Sequence, residues 1–95
     1  MTKGEFIKFY ANKMDISQAD ARKYVDGFMD CVKEVLLEED KLAFTGFGAF
    51  EIKHRKARMG RNPRRPEEEI EIQAYSTPVF KAGKTFKDDI KASRA

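Results

Sequence analysis

The chain has 95 residues, 41% of them hydrophobic with eight Phe, which is enough for one small domain with a modest core and too little for a second. Its formal net charge of +3 is unevenly placed: residues 1–50 carry seven Lys/Arg against nine Asp/Glu, and residues 51–95 carry twelve against seven. A lone Cys31 excludes an internal disulfide, and no apolar run approaches the roughly 20 residues that span a bilayer.

The start, Met1-Thr2-Lys3-Gly4-Glu5, lacks the apolar stretch of a secretory signal, so a reducing cytoplasm is the expected setting. Thr2 and Glu5 have the spacing of a capping box, and Phe6, Ile7, Tyr10 and Met14 follow at steps of three or four, which predicts a helix over about 3–13. Ser17 is a second candidate cap, with Asp20 in the first turn. The apolar series Ala21, Val25, Phe28, Val32, Val35 and Leu36 then predicts a helix over about 18–38, with Cys31 as a small core hydrophobe beside it. Gly27 inside that helix suggests the close approach of another.

After Glu38-Glu39-Asp40 the period changes to two. Residues 42–44 read as a short strand, Thr45-Gly46 as a turn, and 47–54 as a longer strand with Phe50 and Ile52 on one face and Glu51 and Lys53 on the other. Ile70 and Ile72 alternate with Glu69, Glu71 and Gln73 in a strand running to about residue 74. Gly60-Arg61-Asn62-Pro63-Arg64-Arg65-Pro66 forms the turn region between them, so the two strands make a long hairpin with limbs of roughly ten residues, about 30 Å each. Pro78-Val79-Phe80 brings the chain back, and a last helix with Phe86 and Ile90 one turn apart starts near Gly83.

From about residue 55 to 69 the hairpin contains almost nothing to bury. It does contain Arg55, Lys56, Arg58, Arg61, Arg64 and Arg65, which with Lys53 make seven cations in thirteen residues without an acid, and such a block suggests a polyanionic partner. A charged strand kept only for solubility is the alternative, and Glu67, Glu68, Glu69 and Glu71 on the facing limb offer partners for Lys56 or Arg58. His54 has no acid at the spacing of a catalytic triad or metal site, so neither a catalytic residue nor a metal or other cofactor is expected. With the arm set aside, a three-stranded sheet and its helices give little depth for Phe28, Phe44, Phe47, Phe50 and Phe80. A second copy is therefore expected to complete the core.

Gly46-Phe47-Gly48-Ala49-Phe50, the stretch from Arg55 through Gly60-Arg61-Asn62-Pro63, and Pro78-Val79-Phe80-Lys81-Ala82-Gly83-Lys84 together resemble the bacterial HU/IHF family of histone-like proteins, in order and over the whole chain. The resemblance implies an α+β fold over residues 1–95. It comprises a helical dimerisation part at about 1–40, a three-stranded antiparallel sheet with a DNA-binding arm at about 41–80, and a short helix at about 83–92, in an intertwined dimer. It further implies a nucleoid-associated protein that binds double-stranded DNA through the minor groove and bends and compacts it with little sequence preference.

By the same resemblance, Arg55, Arg58 and Arg61 are the arm cations, Pro63 the tip wedge, and Lys3, Lys81 and Lys84 the body contacts. Lys53, Lys56, Asn62, Arg64 and Arg65 complete the expected DNA-binding set. The sequence departs from the family at Arg64-Arg65-Pro66, where Gln-Thr-Gly is usual, so the tip loses a glycine able to take φ > 0. A homodimer is favoured over a heterodimer with a paralogue, because few groups are placed to read base edges. An IHF-like subunit with sequence preference and an RNA or single-strand binder are the competing readings. An enzyme, a membrane partner and a small-molecule substrate are not expected.

Overall fold

Side-chain caps and a change of period from helical to alternating divide the chain, and the structure, a computed structural model, describes residues 1–94. In chain order the elements are α1 (Lys3–Met14), α2 (Gln18–Glu38), β1 (Lys41–Phe44), β2 (Gly48–Arg55), β3 (Arg58–Asn62), β4 (Arg65–Ile72), β5 (Tyr75–Ala82) and α3 (Lys84–Arg94). They fall into two units, residues 1–37 and the chain from Glu38 onward.

In the first unit Thr2 caps α1, accepting the Glu5 N–H at 3.2 Å, and Ser17 accepts the Asp20 N–H at 3.1 Å at the start of α2. Asp15 ends α1 in the left-handed region with φ 54°, and the Ile16 N–H donates to the Ala11 carbonyl at 3.0 Å. That turn lays Ile16 against a core of Ile7, Ala11, Ala21 and Val25. Burying Ile7 and Val25 contributes about 1.5–3 kcal/mol each, far less than ordering a segment of this length costs at about 1–2 kcal/mol per residue.

The rest of the α2 stripe is at most half-covered in the single chain, with Val32, Val35 and Leu36 half-buried. Phe28 is 51% exposed, Cys31 is exposed rather than a core residue, and a Cβ on Gly27 would meet nothing within 4 Å. Phe6, Tyr10, Tyr24, Phe28 and Met29 line an apolar groove of about 610 Å³.

The second unit carries a three-stranded antiparallel sheet in the order β1-β2-β5 and a separate two-stranded ribbon, β3-β4. Phe44 accepts the Phe47 N–H at 3.0 Å in the β1–β2 turn, where Gly46 takes φ 84°. Gly48 follows at a point where a Cβ would lie 2.5 Å from the Lys81 carbonyl oxygen, so no side chain fits between β2 and β5.

The long hairpin differs from the sequence expectation. The partner of β2 is β5, with Phe50 opposite Phe80 and Ile52 opposite Pro78, whereas the Ile70–Ile72 segment pairs with Arg58 and Gly60 in the ribbon. Breaks at residues 56–57 and 73–74 separate ribbon from sheet. Within the ribbon β3 has five residues, about 17 Å, and β4 has eight, about 27 Å, against expected limbs of about 30 Å.

Pro78 inside a strand has a physical explanation. Ile52 donates its N–H to the Asp40 carbonyl at 2.8 Å, on the β1 side, so its pair with Pro78 is a non-hydrogen-bonded one and the missing N–H of Pro78 faces the open edge of the sheet.

One face of the sheet is aromatic. Phe47, Phe50 and Phe80 have ring centroids 5.1–5.2 Å apart in successive pairs, and Phe86 from α3 stacks on Phe47 at 5.4 Å. Phe44 meets Phe50 edge-on at 6.5 Å. The cluster is half-covered within one chain: Phe47 remains 45% and Phe80 41% exposed. Of the expected core, Phe44, Phe47, Phe50 and Phe80 are therefore assembled but not closed by a single copy, and Phe28 belongs to the first unit.

Candidate nucleic-acid interface

Strand alternation sorts the cations onto surfaces. In β2, Gly48, Phe50 and Ile52 share the aromatic face, so Glu51, Lys53 and Arg55 point to the other, together with Lys41 opposite Glu51 and Lys81 opposite Ala49. This second face is basic, with Tyr75 beside Arg55 at its end. Sequence reasoning missed Lys41 and Tyr75, because their places are set by cross-strand register and not by local spacing.

Glu51 stands among these lysines, with Oε2 at 3.3 Å from Lys81 Nζ and 3.5 Å from Lys53 Nζ, and Oε1 at 3.9 Å from Lys41 Nζ. Partial burial acts to raise its carboxyl, but the ammonium groups of Lys81 and Lys53 outweigh that and hold it below the usual carboxylate range.

The ribbon presents a different arrangement. Opposite residues share a face, which puts Arg58 with Ile72 and Gly60 with Ile70 on one side, and Met59 with Glu71 and Arg61 with Glu69 on the other. At the tip Pro63 and Arg64 form a two-residue loop between the paired Asn62 and Arg65, and the Asn62 side-chain oxygen accepts the Arg64 N–H at 3.0 Å. The register shifts after Arg61, looping Pro66, Glu67 and Glu68 out of the ladder, and this bulge absorbs the departure at Arg64-Arg65-Pro66. Among the described residues the tip uses no positive φ, so the lost glycine is not needed.

Arg65 pairs with Glu68 at 3.0 Å, and Arg61 donates to the Pro66 carbonyl at 3.5 Å. Among the described residues Arg55, Lys56, Arg58, Arg61 and Arg64 form no ion pair. The expected pairing of Lys56 or Arg58 with the facing glutamates is therefore absent among these residues. Arg55, Lys56, Ala57, Arg58 and Tyr75 line a cleft of about 450 Å³ at the base of the ribbon.

The remaining expected contacts carry acid partners. Lys3 lies 2.6 Å from Asp26 and Lys84 3.2 Å from Asp88. The N–H of Gly83, which precedes α3, donates to the Phe47 carbonyl at 2.9 Å and is not open to an anion. His54 has the acid partner that its spacing did not suggest: Nε2 is 3.0 Å from Asp40 Oδ2, and Nδ1 is 2.8 Å from Ser76 Oγ. It ties the segment before β1 to the far ends of β2 and β5. Among the described residues no group of three or more His, Cys, Asp or Glu is placed to hold a metal ion, and no helix is long and apolar enough to cross a membrane.

The family described as bacterial DNA-binding protein matches residues 1–91. The DNA-binding protein HU of Geobacillus stearothermophilus is 45% identical over 91 residues, 96% of this chain and all of that protein. DNA-binding protein HU-alpha of Vibrio proteolyticus is 43% identical over the same coverage. Among solved structures, an Anabaena HU–DNA cocrystal structure superposes with a TM-score of 0.85 at 36% identity, covering the whole of both chains. A point mutant of HU from Thermotoga maritima gives a TM-score of 0.69 at 26% identity over 95% of this chain and 99% of that one. With the arm, the basic sheet face and the aromatic cluster all in place, the chain belongs to the bacterial DNA-binding protein family, as an HU-type member.

Proposed function

We propose that the chain is a histone-like architectural protein, not an enzyme, that binds double-stranded DNA as a dimer and bends it with little regard to sequence. The observation that carries this reading is that, among the described residues, Arg55, Lys56, Arg58, Arg61 and Arg64 form no ion pair, along and at the base of a ribbon in which Met59, Ile70 and Ile72 are the large apolar side chains. Cations held in no ion pair are available to phosphate, whose neutralisation releases condensed counterions. Arginine also suits the negative potential of a narrow minor groove. Insertion of paired arms there is a mode for which the HU/IHF family is itself a standing example.

The same reading assigns the site roles. Arg55, Lys56, Arg58, Arg61, Arg64 and Arg65 contact the backbone and groove along the arm, Asn62 shapes the tip, and Pro63 wedges between base pairs. Lys53 and Lys81 on the basic sheet face, with Lys3 and Lys84, take the flanking phosphates. Dimerisation belongs to residues 1–40 and to the aromatic face, since a second copy would cover Phe28, Phe47 and Phe80. A cytoplasmic, nucleoid-associated location accords with this role.

The test is energy transfer between dyes at the two ends of a short duplex titrated with the protein. Closer dye ends on binding are expected. Saturable binding that leaves the end-to-end distance unchanged would remove the bending role.

A further inference from the structure

The aromatic face of the sheet cannot meet a polyanion, so any DNA that reaches the sheet meets the opposite face, with Lys41, Lys53, Arg55 and Lys81. On that face one carboxylate stands among the described residues, at the centre of the middle strand. Glu51 Oε2 is shielded from solvent and makes no well-formed hydrogen bond. Its partners are the ammonium groups of Lys81 and Lys53 at 3.3 and 3.5 Å. The Lys53 and Lys81 side chains are 40% and 61% exposed, so both can turn from the carboxylate to an arriving phosphate.

We propose that Glu51 is an internal competitor for the phosphates this face would bind: it holds Lys53 and Lys81 in the free protein and reduces both the affinity for duplex DNA and its salt dependence. The inference rests on the DNA-binding reading above. When the lysines transfer to phosphate, DNA releases condensed cations while the freed carboxylate attracts one, so net counterion release is smaller than the lysine count implies. If the lysines stay with Glu51, its charge repels the backbone instead. Either route gives the same sign. A purely structural role gives the opposite one, because loss of a lysine-ordering carboxylate would loosen the face and weaken binding. The lysine ends of these pairs lie in solvent, where screening keeps what they add to stability small, so stability alone does not account for an acid at the centre of a binding face.

The test is Glu51→Gln, which keeps shape and removes charge, with folding checked by circular dichroism and binding to a labelled 20-base-pair duplex followed by anisotropy across a salt series. Tighter binding at low salt, about threefold to tenfold, is expected, with a log–log salt slope steeper by about one unit per copy. Lys81→Ala should also cost more affinity in the Glu51→Gln background than in the wild type, because Lys81 is then no longer shared. A folded Glu51→Gln that binds equally or more weakly, at an unchanged slope, overturns the inference while the wild type still binds.

A wild type that does not bind the duplex overturns the functional reading and this inference with it. Should Glu51→Gln not fold, Thr77→Glu carries the test, since Thr77 lies opposite Lys53 on the same face. It should weaken binding and flatten the slope by about one unit per copy, and an unchanged slope overturns the inference.

Discussion

Pro63 and Arg64 make the tip of the ribbon, with the Asn62 side chain closing the turn beneath them, so the proline ring stands at the outermost point of the arm. Pro63→Ala keeps every cation and is expected to spare most of the affinity while losing the bend, read by end-to-end energy transfer. Pro66 lies in the bulge behind the tip, and loss of the bend on Pro66→Ala with a normal bend for Pro63→Ala would move the wedge there.

Arg58→Ala with Arg61→Ala should weaken binding to all sequences alike and flatten the salt slope by about two units per copy. Glu51 adds a pH signature. Its folded carboxyl sits below the unfolded value of 4.5, so its contribution to stability is present above that pH and is lost as pH falls through the lower folded value. The difference in melting temperature between wild type and Glu51→Gln should accordingly close below pH 4.5, and a constant difference at all pH values would contradict the pairing.

At the scale of elements, what could be read from the sequence was what local chemistry determines. Thr2 and Ser17 cap their helices because the capping hydrogen bond spans three residues, and the start of each helix follows from it. Phe50 and Ile52 share a face because strand alternation is local as well. The third strand of the sheet was harder to read, because Pro78 looks like a breaker until the register turns its missing N–H outward.

The limits of the ribbon were hard to read for a related reason: sequence shows where basic residues run, not where the ladder breaks at residues 56–57 and 73–74. The Lys3–Asp26 ion pair and the His54–Asp40 hydrogen bond join residues 23 and 14 positions apart, beyond any local pattern. Gly48 makes an element-scale prediction. An alanine there would place Cβ 2.5 Å from a backbone oxygen of β5, so Gly48→Ala should lower stability by about 1–3 kcal/mol in denaturant unfolding, and a neutral result would show that β2 and β5 can separate freely.

For the molecule as a whole, the half-covered aromatic cluster and the apolar groove beside Phe28 leave more hydrophobic surface than a single chain can account for. Folding and pairing of two copies should therefore be one event, with a melting temperature that rises with protein concentration. Phe47→Ala should cost about 3–5 kcal/mol measured on the dimer, because the second copy completes the burial that one chain leaves open.

The periodic stripe of α2 announced an apolar face but not what covers it, which is why Phe28 and Cys31 are legible as stripe residues and not as core residues of the single chain. The central claim is that the cations of arm and sheet neutralise the backbone of a wrapped duplex. Its most direct measurement is the affinity for a random-sequence duplex as a function of salt. If each dimer neutralises about eight to ten phosphates, log affinity should fall against log salt with a slope near about −7 to −9, and a slope shallower than about −3 would contradict it.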